Sequence, residues 1–194
     1  MKRDFNPPYK RKIASSHSPA TLWDDLRVPA QNTRINPAKA EPAFEEFTDG
    51  LYTYKFDPTN ADDESIHFAT QMPHSYQEGS NFRAHVHWSP DTDDKGDIVW
   101  QLEYIIANID GTFPGGATSI KVTVPADGTA LKHQVAYFDG DIDGTGLLIS
   151  HMLICRLTRL TSDSDDTFTG NACFLEFDFH FQKDMIGSHE ELIK

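Results

Sequence analysis

The chain has 194 residues, which is enough for one domain with a substantial core. Its formal net charge of -13 argues against binding to nucleic-acid phosphates, which requires clustered lysine and arginine. It also contains no apolar run long enough to span a bilayer, so the sequence predicts neither a nucleic-acid partner nor a membrane partner.

The first twelve residues are basic, although the chain as a whole is acidic. They contain five lysine or arginine residues against the single acidic residue Asp4. Phe5 and Tyr9 place apolar side chains between these charges, and prolines keep the backbone extended. We expect residues 1–20 to form an arm that docks on an acidic partner surface, the alternative being a terminus without a role. The expected partner-binding residues are Lys2, Arg3, Phe5, Tyr9, Lys10, Arg11, Lys12 and Trp23.

Residues 21–49 have little periodicity and several prolines, and the sequence predicts an irregular linker there. Two short apolar clusters, TLWDDLRV and AFEEF, interrupt this segment. Because such a segment cannot form a core of its own, its apolar side chains are expected to cover a surface of their own domain or of a neighbouring subunit. We therefore expect the protein to form a homo-oligomer.

From residue 50 onward, apolar and polar residues alternate with a period of two, which is typical of half-buried antiparallel strands. In the clearest run, FLEFDFHFQ, Leu175 and the phenylalanines at every second position after it are expected to point inward. Turn-rich links between the runs favour an antiparallel β-sandwich of jelly-roll type over residues 50–194. About eight strands are expected, near residues 51–56, 66–72, 82–89, 97–107, 118–124, 132–138, 147–158 and 172–182. The side chains expected to be buried are Trp100, Leu102, Tyr104, Phe177 and Phe179.

The segment RAHVHWSP places His85 and His87 on the same face of a strand as Arg83 and opposite Trp88. Two histidines at this spacing occur in jelly-roll metal sites of the cupin type, which also need a carboxylate and a further histidine from other strands. The candidates for those ligands are Glu103, Glu176, Asp178 and His180. Cupin-type ligands point into the barrel, however, whereas these histidines lie opposite the apolar side. The sequence therefore favours a solvated or subunit-facing surface and predicts no metal site.

The segment DGDIDGTGLLIS begins like a calcium-binding loop, with Asp139, Asp141 and Asp143 at alternate positions and Gly144 after them. Ser150 stands where such loops place a bidentate glutamate, and strands rather than helices are predicted on both sides. An aspartate-rich hairpin turn is therefore favoured over a calcium site.

Motifs that would indicate catalysis are missing from the sequence. It contains no phosphate-binding loop, no dinucleotide-binding glycine motif and no nucleophile elbow. The sequence thus predicts that the protein is not an enzyme, with no catalytic residue and no cofactor.

Six segments carry a further resemblance: LWDDLRVPA, RAHVHWSP, VWQLEYIIANIDGTF, HQVAYF, SHMLICRLTR and FLEFDFHFQKDMIGSHEELIK. Together they resemble a family of tailed-bacteriophage and prophage proteins that are encoded among virion structural genes. The similarity extends from about residue 21 to the C-terminus, and it is one of general pattern, so it carries over no active-site residue.

This resemblance implies a non-enzymatic virion structural protein that decorates the capsid as a cement protein or belongs to the neck or tail. Such a protein would be made in the cytoplasm of a bacterial host and would bind capsid, portal or tail subunits in the virion. Analogy with decoration proteins makes the expected homo-oligomer a trimer. The alternative is a metal-dependent, cupin-like β-barrel enzyme or a carbohydrate-binding module that uses the face of His85 and His87.

Overall fold

The structure is a computed structural model that describes residues 22–59 and 62–194. Within these two ranges the regular secondary structure consists of ten strands and a short 3₁₀ turn at Ala30–Asn32. The strands are β1 (Leu22–Pro29), β2 (Ala43–Thr48), β3 (Leu51–Phe56), β4 (Ser65–Gln71), β5 (Phe82–Pro90), β6 (Lys95–Ala107), β7 (Thr118–Asp127), β8 (Gln134–Tyr137), β9 (Met152–Arg159) and β10 (Ala172–Lys183). No helix in the described ranges is long and apolar enough to cross a membrane.

The strands form two sheets in which all neighbours run antiparallel. The first sheet contains six strands, in the order β2-β3-β10-β5-β8, with β1 also paired to β10. The second sheet contains four strands, in the order β4-β9-β6-β7. The predicted antiparallel β-sandwich of jelly-roll type is confirmed, and each of the eight expected strands overlaps an observed one.

Side chains at alternate strand positions fill the space between the two sheets. The ring of Phe177 in β10 lies 4.9 Å from that of Phe68 in β4, measured between ring centroids. The ring of Phe56 in β3 lies 5.0 Å from that of Trp100 in β6. Because both contacts join the first sheet to the second, burial of aromatic area holds the sheets together. Of the five side chains predicted to be buried, Tyr104 is partly covered. The other four are fully buried: Trp100, Leu102, Phe177 and Phe179.

A β-bulge in β10 reverses the alternation at its start. The pairing of β10 with β5 shifts between Phe174 and Glu176, and a bulge adds one residue on the bulged strand. Phe174 is consequently buried in the core, whereas Leu175 lines a surface pocket beside Glu176. The prediction that Leu175 points inward is therefore wrong.

The prediction of an irregular linker over residues 21–49 is also wrong, because two strands lie there. β1 pairs along its whole length with β10, and β2 forms a hairpin with β3. The sandwich therefore includes residues 22–48, ahead of the expected start at residue 50. Residues 1–20, the predicted arm, lie outside the described residues.

The apolar side chains of β1 and β2 find contacts inside the domain. Leu26 packs against the core, and the ring of Phe44 contacts those of Tyr52 and Tyr54 at centroid distances of 6.0 and 5.2 Å. These side chains were expected to cover a surface of their own domain or of a neighbouring subunit, and Leu26 and Phe44 do contact their own domain. Phe44 and Trp23 remain about half exposed, and the homo-oligomer stays a prediction.

A buried ion pair fixes the end of β9. The guanidinium of Arg159 is 0% exposed, and its Nη2 lies 2.9 Å from Oδ1 of Asp166. Other donors reach the carbonyl oxygens of Phe56, Phe168 and Gly170. An arginine has five N–H donors, and all five are used here. This charge is therefore buried with every donor satisfied.

Candidate functional site

The side of the six-stranded sheet that faces away from the core carries ionisable side chains. In β5, Ala84 and Val86 are buried in the core, so the residues between and beside them point to the opposite side. β10 runs next to β5, with Asp178 opposite His85. We call this surface the histidine face. It is formed by Arg83, His85, His87, Asp178, His180, Tyr137 and Asp25.

His85 and Asp178 are buried although they lie on the histidine face. Each is 3% exposed, because the rings of Tyr137 and His180 cover His85 at centroid distances of 4.5 and 4.0 Å. Nδ1 of His85 lies 3.2 Å from Oδ1 of Asp178, but the two groups are not aligned as a hydrogen bond. Within the described ranges neither atom has a hydrogen-bond partner. The sequence predicted a solvated or subunit-facing surface; the solvated alternative is wrong at His85, and the subunit-facing alternative stays a prediction.

The carboxylate of Asp178 is surrounded by imidazole rings. Its Oδ2 lies 3.0 Å from Nε2 of His87 and 3.6 Å from Nε2 of His180. Burial by itself would raise the pKa of Asp178. The contacts with His85 and His87 and the charges of His87 and His180 outweigh burial, so the pKa of Asp178 lies well below its ordinary value. Asp178 is therefore a buried anion at neutral pH.

His87 and His180 each have a second polar partner. Nδ1 of His87 lies 2.8 Å from Nε2 of His133, and Nε2 of His180 lies 2.9 Å from Oδ1 of Asp25. The hydrogen bond to Asp178 raises the pKa of His87, and burial opposes this shift without cancelling it. These partners hold the two imidazoles in place beside Asp178.

A cleft of about 850 Å³ opens on the histidine face next to the loop that follows β8. Two exposed aromatic side chains line it, Trp23 of β1 at 48% exposure and Tyr137 of β8 at 59%. The polar side chains in its lining are Asn81, Arg83, His85, Asp139, Asp141 and His180. The cleft thus combines exposed aromatic rings with donors and acceptors of hydrogen bonds.

Arg83 connects two sides of this cleft. Its Nε lies 2.8 Å from Oδ1 of Asp141 in the loop, and its guanidinium carbon lies 5.2 Å from the centre of the Trp23 ring. A guanidinium at this distance attracts the face of an indole ring. The two contacts therefore restrain the Trp23 side chain and the loop relative to β5.

The aspartate-rich segment is not a hairpin turn, because the strands that it connects, β8 and β9, lie in different sheets. Its carboxylates point to separate partners. Asp141 is paired with Arg83, while Oδ1 of Asp143 accepts a hydrogen bond from the backbone N–H of Thr145. Asp139 lies in the lining of the cleft.

The structure brings together only part of the ligand set named from the sequence. Glu103 lies in the second sheet and pairs with Arg156, so it cannot reach the histidine face. Glu176 accepts hydrogen bonds from Arg27 through both of its oxygens. The two remaining candidates, Asp178 and His180, do meet His85.

Among the predicted partner-binding residues, Trp23 lies in the cleft. The others lie outside the described residues: Lys2, Arg3, Phe5, Tyr9, Lys10, Arg11 and Lys12. Reasoning from the sequence missed Tyr137 and Asp25. The alternation in HQVAYF was a usable signal for Tyr137, because it places this tyrosine on the side of the strand opposite Ala136 and Phe138.

No protein-family model and no curated protein matches the chain. Among solved structures, a family 35 carbohydrate-binding module from Clostridium thermocellum is similar with a TM-score of 0.45 and 10% identity, over 80% of this chain and 97% of that one. A CBM35 module from Cellvibrio japonicus has a TM-score of 0.43 and 12% identity, over 80% and 92% of the two chains. A CBM36 domain of a xylanase from the hindgut metagenome of Trinervitermes trinervoides has a TM-score of 0.40 and 8% identity, over 80% and 96%.

These comparisons overturn the resemblance to virion structural proteins. Where a virion family was expected, the similar structures are carbohydrate-binding modules. The assignment to a capsid-decorating, neck or tail protein is wrong, and so are the virion partners and the location in a virion. The trimer was inferred by analogy with decoration proteins, and that analogy no longer applies. Alternating strands recur in many unrelated sandwiches, so general pattern alone misled the assignment. At TM-scores of 0.40–0.45 the similarity carries no argument about what this chain binds.

Proposed function

We propose that this protein is a non-catalytic carbohydrate-binding module that holds a segment of a polysaccharide in the cleft of the histidine face. The observation that carries the proposal is the presence of two exposed aromatic rings, Trp23 and Tyr137, together with fixed polar side chains in one cleft.

The aromatic rings match one property of a sugar. A pyranose ring has an apolar face made of C–H groups, and this face can pack on an aromatic ring without losing a hydrogen bond to water. Trp23 and Tyr137 offer such surfaces, since about half of each side chain contacts solvent. Tryptophan and tyrosine also lose little conformational entropy on binding, because each has few rotatable bonds.

The polar side chains match the other property, a rim of hydroxyl groups that donate and accept hydrogen bonds. Arg83 and Asn81 supply donors, and Asp139 and Asp141 supply acceptors. The ion pair between Arg83 and Asp141 holds both groups before a ligand arrives, which lowers the entropy lost on binding. Because acidic groups offset the arginine, the cleft suits a hydroxyl-rich ligand better than a phosphate.

Two features of the carboxylates favour binding without hydrolysis. Glycosidases normally use two carboxyl groups, one of which is protonated and donates to the leaving group. Asp141 is ion-paired with Arg83, and the pKa of Asp178 is lowered rather than raised. Asp178 is therefore not suited to be the acid.

Affinity gel electrophoresis against a panel of soluble neutral and uronic-acid-containing polysaccharides, followed by calorimetric titration, tests this proposal. We expect binding to at least one polysaccharide without release of reducing sugar. Trp23→Ala and Tyr137→Ala should each weaken binding roughly tenfold or more, since each removes an aromatic anchor.

Tyr52→Ala provides a matched control for Tyr137→Ala. Tyr52 is 53% exposed and lies in β3, outside the lining of the cleft, so this variant should bind as the wild type does. Failure to bind any polysaccharide, or unchanged affinity in both cleft variants, contradicts the proposal.

A further inference from the structure

We propose that His85, Asp178 and His180 form a binding site for one divalent transition-metal ion of the zinc type. One ligand atom from each residue lies within 4.8 Å of those of the other two. The proposal goes beyond sugar binding and does not depend on it, because it concerns the base of the histidine face and can be measured without any sugar.

The imidazole nitrogens of His85 and His180 each lie close to a different oxygen of Asp178, at separations near those of two ligands on one ion. Two ligands of a tetrahedral zinc ion lie roughly 3.3 Å apart, because each is about 2.0–2.1 Å from the metal. Nδ1 of His85 lies 3.2 Å from Oδ1 of Asp178, and Nε2 of His180 lies 3.6 Å from Oδ2 of Asp178. The register of β5 against β10 fixes these positions, since all three residues lie on adjacent, paired strands.

Two buried atoms at this place have no hydrogen-bond partner in the described parts of the chain. They are Nδ1 of His85 and Oδ1 of Asp178, in side chains that are each 4% exposed. An unsatisfied buried polar atom costs free energy, so native structures contain few of them. When Nδ1 of His85 carries no proton, its lone pair and the Asp178 oxygen 3.2 Å away can both bind a metal ion, and one ion then satisfies the two atoms.

Neighbouring side chains hold the proposed ligands in place through further polar contacts, as is usual around metal sites. His87 contacts the second oxygen of Asp178 at 3.0 Å, and His133 contacts His87 at 2.8 Å. Partners of this kind fix the orientation of a metal-binding carboxylate. Asp25, 2.9 Å from Nε2 of His180, is the nearest further carboxylate.

The ligand types select the class of metal. Imidazole nitrogens bind zinc and neighbouring transition metals well, whereas calcium and magnesium prefer six or more oxygen ligands. Two imidazoles and one carboxylate therefore indicate zinc, cobalt or nickel rather than calcium. His85 and His180 also line the cleft, so the ion would lie at its base.

Equilibrium dialysis of the full chain, produced without a histidine tag, against zinc and separately against calcium tests the site. We expect about one zinc per chain by elemental analysis and no calcium. Zinc at a hundredfold excess over its Kd should raise Tm by about 5 °C or more. Cobalt should give the visible absorption bands of a site with nitrogen and oxygen ligands.

His85→Gln and His180→Gln should each weaken zinc binding at least tenfold, and His87→Gln should do so by about 10–100-fold through loss of support for Asp178. His180 is partly exposed, so its variant is expected to fold even if substitution at buried His85 is not tolerated. His189→Gln, at an exposed position near the C-terminus, is the matched control and should bind zinc as the wild type does.

Zinc bound below a tenth of an equivalent, or bound equally well by His180→Gln and the wild type, would overturn the site. Zinc binding without polysaccharide binding would support this site and remove the proposed function. Polysaccharide binding without zinc binding would support the proposed function and overturn this site.

Discussion

Two pairs of ionisable side chains in this sandwich are almost completely buried, yet their hydrogen bonding differs. The side chains of Arg159 and Asp166 are 0% and 3% exposed, and those of His85 and Asp178 are both 4% exposed. Around Arg159 every guanidinium donor has an acceptor. Between His85 and Asp178, by contrast, one nitrogen and one oxygen have no hydrogen-bond partner within the described residues. Burial alone therefore does not distinguish the two pairs.

The difference in hydrogen bonding indicates a different role for each pair. A fully satisfied network specifies one arrangement of the chain, and here it joins β3, β9 and the segment before β10. A partly satisfied pair costs stability unless something else binds to it. We therefore assign the first pair to the architecture of the sandwich and the second to ligand binding on the histidine face.

Replacing Arg159 should have the largest effect on stability. Arg159→Met removes the arginine donors from three carbonyl oxygens and from Asp166, which keeps only the backbone N–H of Val99 among its described partners, and we expect the free energy of unfolding to fall by about 3–5 kcal/mol. Urea denaturation measures this loss. Arg156→Met is the matched control on the same strand, because its pair with Glu103 is partly exposed, and it should cost at most about 1 kcal/mol. Equal losses in the two variants would contradict the architectural role.

Replacing Asp178 should have a smaller effect. Asp178→Asn keeps the shape of the side chain and leaves an oxygen for His87, so we expect the metal-free protein to lose about 1–2 kcal/mol in urea denaturation. Zinc should stabilise the wild type but not this variant. A loss as large as that of Arg159→Met would show that Asp178 is as architectural as the Arg159 pair.

A third buried group, His151, differs from both pairs because it lies against aromatic rings, and no charged partner contacts it within the described residues. Its ring contacts those of Tyr76 and Phe82, and Nδ1 lies 2.6 Å from the carbonyl oxygen of Leu148. Burial lowers the pKa of His151, and the hydrogen bond to Leu148 opposes this shift only in part. The folded state therefore holds His151 neutral at pH values where the unfolded chain protonates it.

The stability that depends on neutral His151 is complete above its unfolded pKa of about 6.5 and is lost as pH falls towards the folded pKa. The contribution of His151 to the free energy of unfolding should thus decrease between pH 7.5 and 5.5. Because the raised pKa of His87 acts in the opposite direction, the measured quantity is the difference between variants: over this range His151→Gln should lose less stability than the wild type. His189→Gln, at an exposed position, is the matched control for the loss of one histidine. Identical slopes in His151→Gln and the wild type would contradict the buried neutral state.

Arg83→Met should have the smallest effect on stability. Arg83 and Asp141 are 54% and 40% exposed, and exposed pairs contribute about 0.5 kcal/mol. Polysaccharide affinity should nevertheless fall about fivefold or more, since the variant removes donors and frees the Trp23 ring. Unchanged affinity in calorimetric titration would remove Arg83 from the binding site.

The sequence predicted the sandwich well where alternation is strict, as in β6 and β10. It failed for β1, because Asp24 and Asp25 interrupt the apolar pattern of LWDDLRVP. The reason is physical: among the described strands β1 pairs only with β10, and it is half-exposed, so packing does not demand strict alternation. The bulge at Leu175 was equally invisible, since no local pattern marks the inserted residue.

The sequence predicted which residues belong to the candidate site, but not that they lie close together. Alternation placed His85, Asp178 and His180 on outward faces of their strands. Their meeting depends on the pairing of β5 with β10, which lie far apart in the chain, and on the register that sets Asp178 opposite His85. The burial of His85 depends on rings contributed by Tyr137 and His180. Neither the long-range register nor this cover can be inferred from local sequence patterns.

The central claim is that the histidine face, at the cleft of Trp23 and Tyr137, is where this protein binds its ligand. An NMR titration of ¹⁵N-labelled protein with oligosaccharides from the polysaccharides of the panel tests it most directly. We expect the chemical shifts of the Trp23 indole N–H and of the backbone amides of β5, β8 and the loop after β8 to change together. Those of β4 and β9 should stay unchanged. Shifts confined to the four-stranded sheet, or no shift with any oligosaccharide, would contradict it.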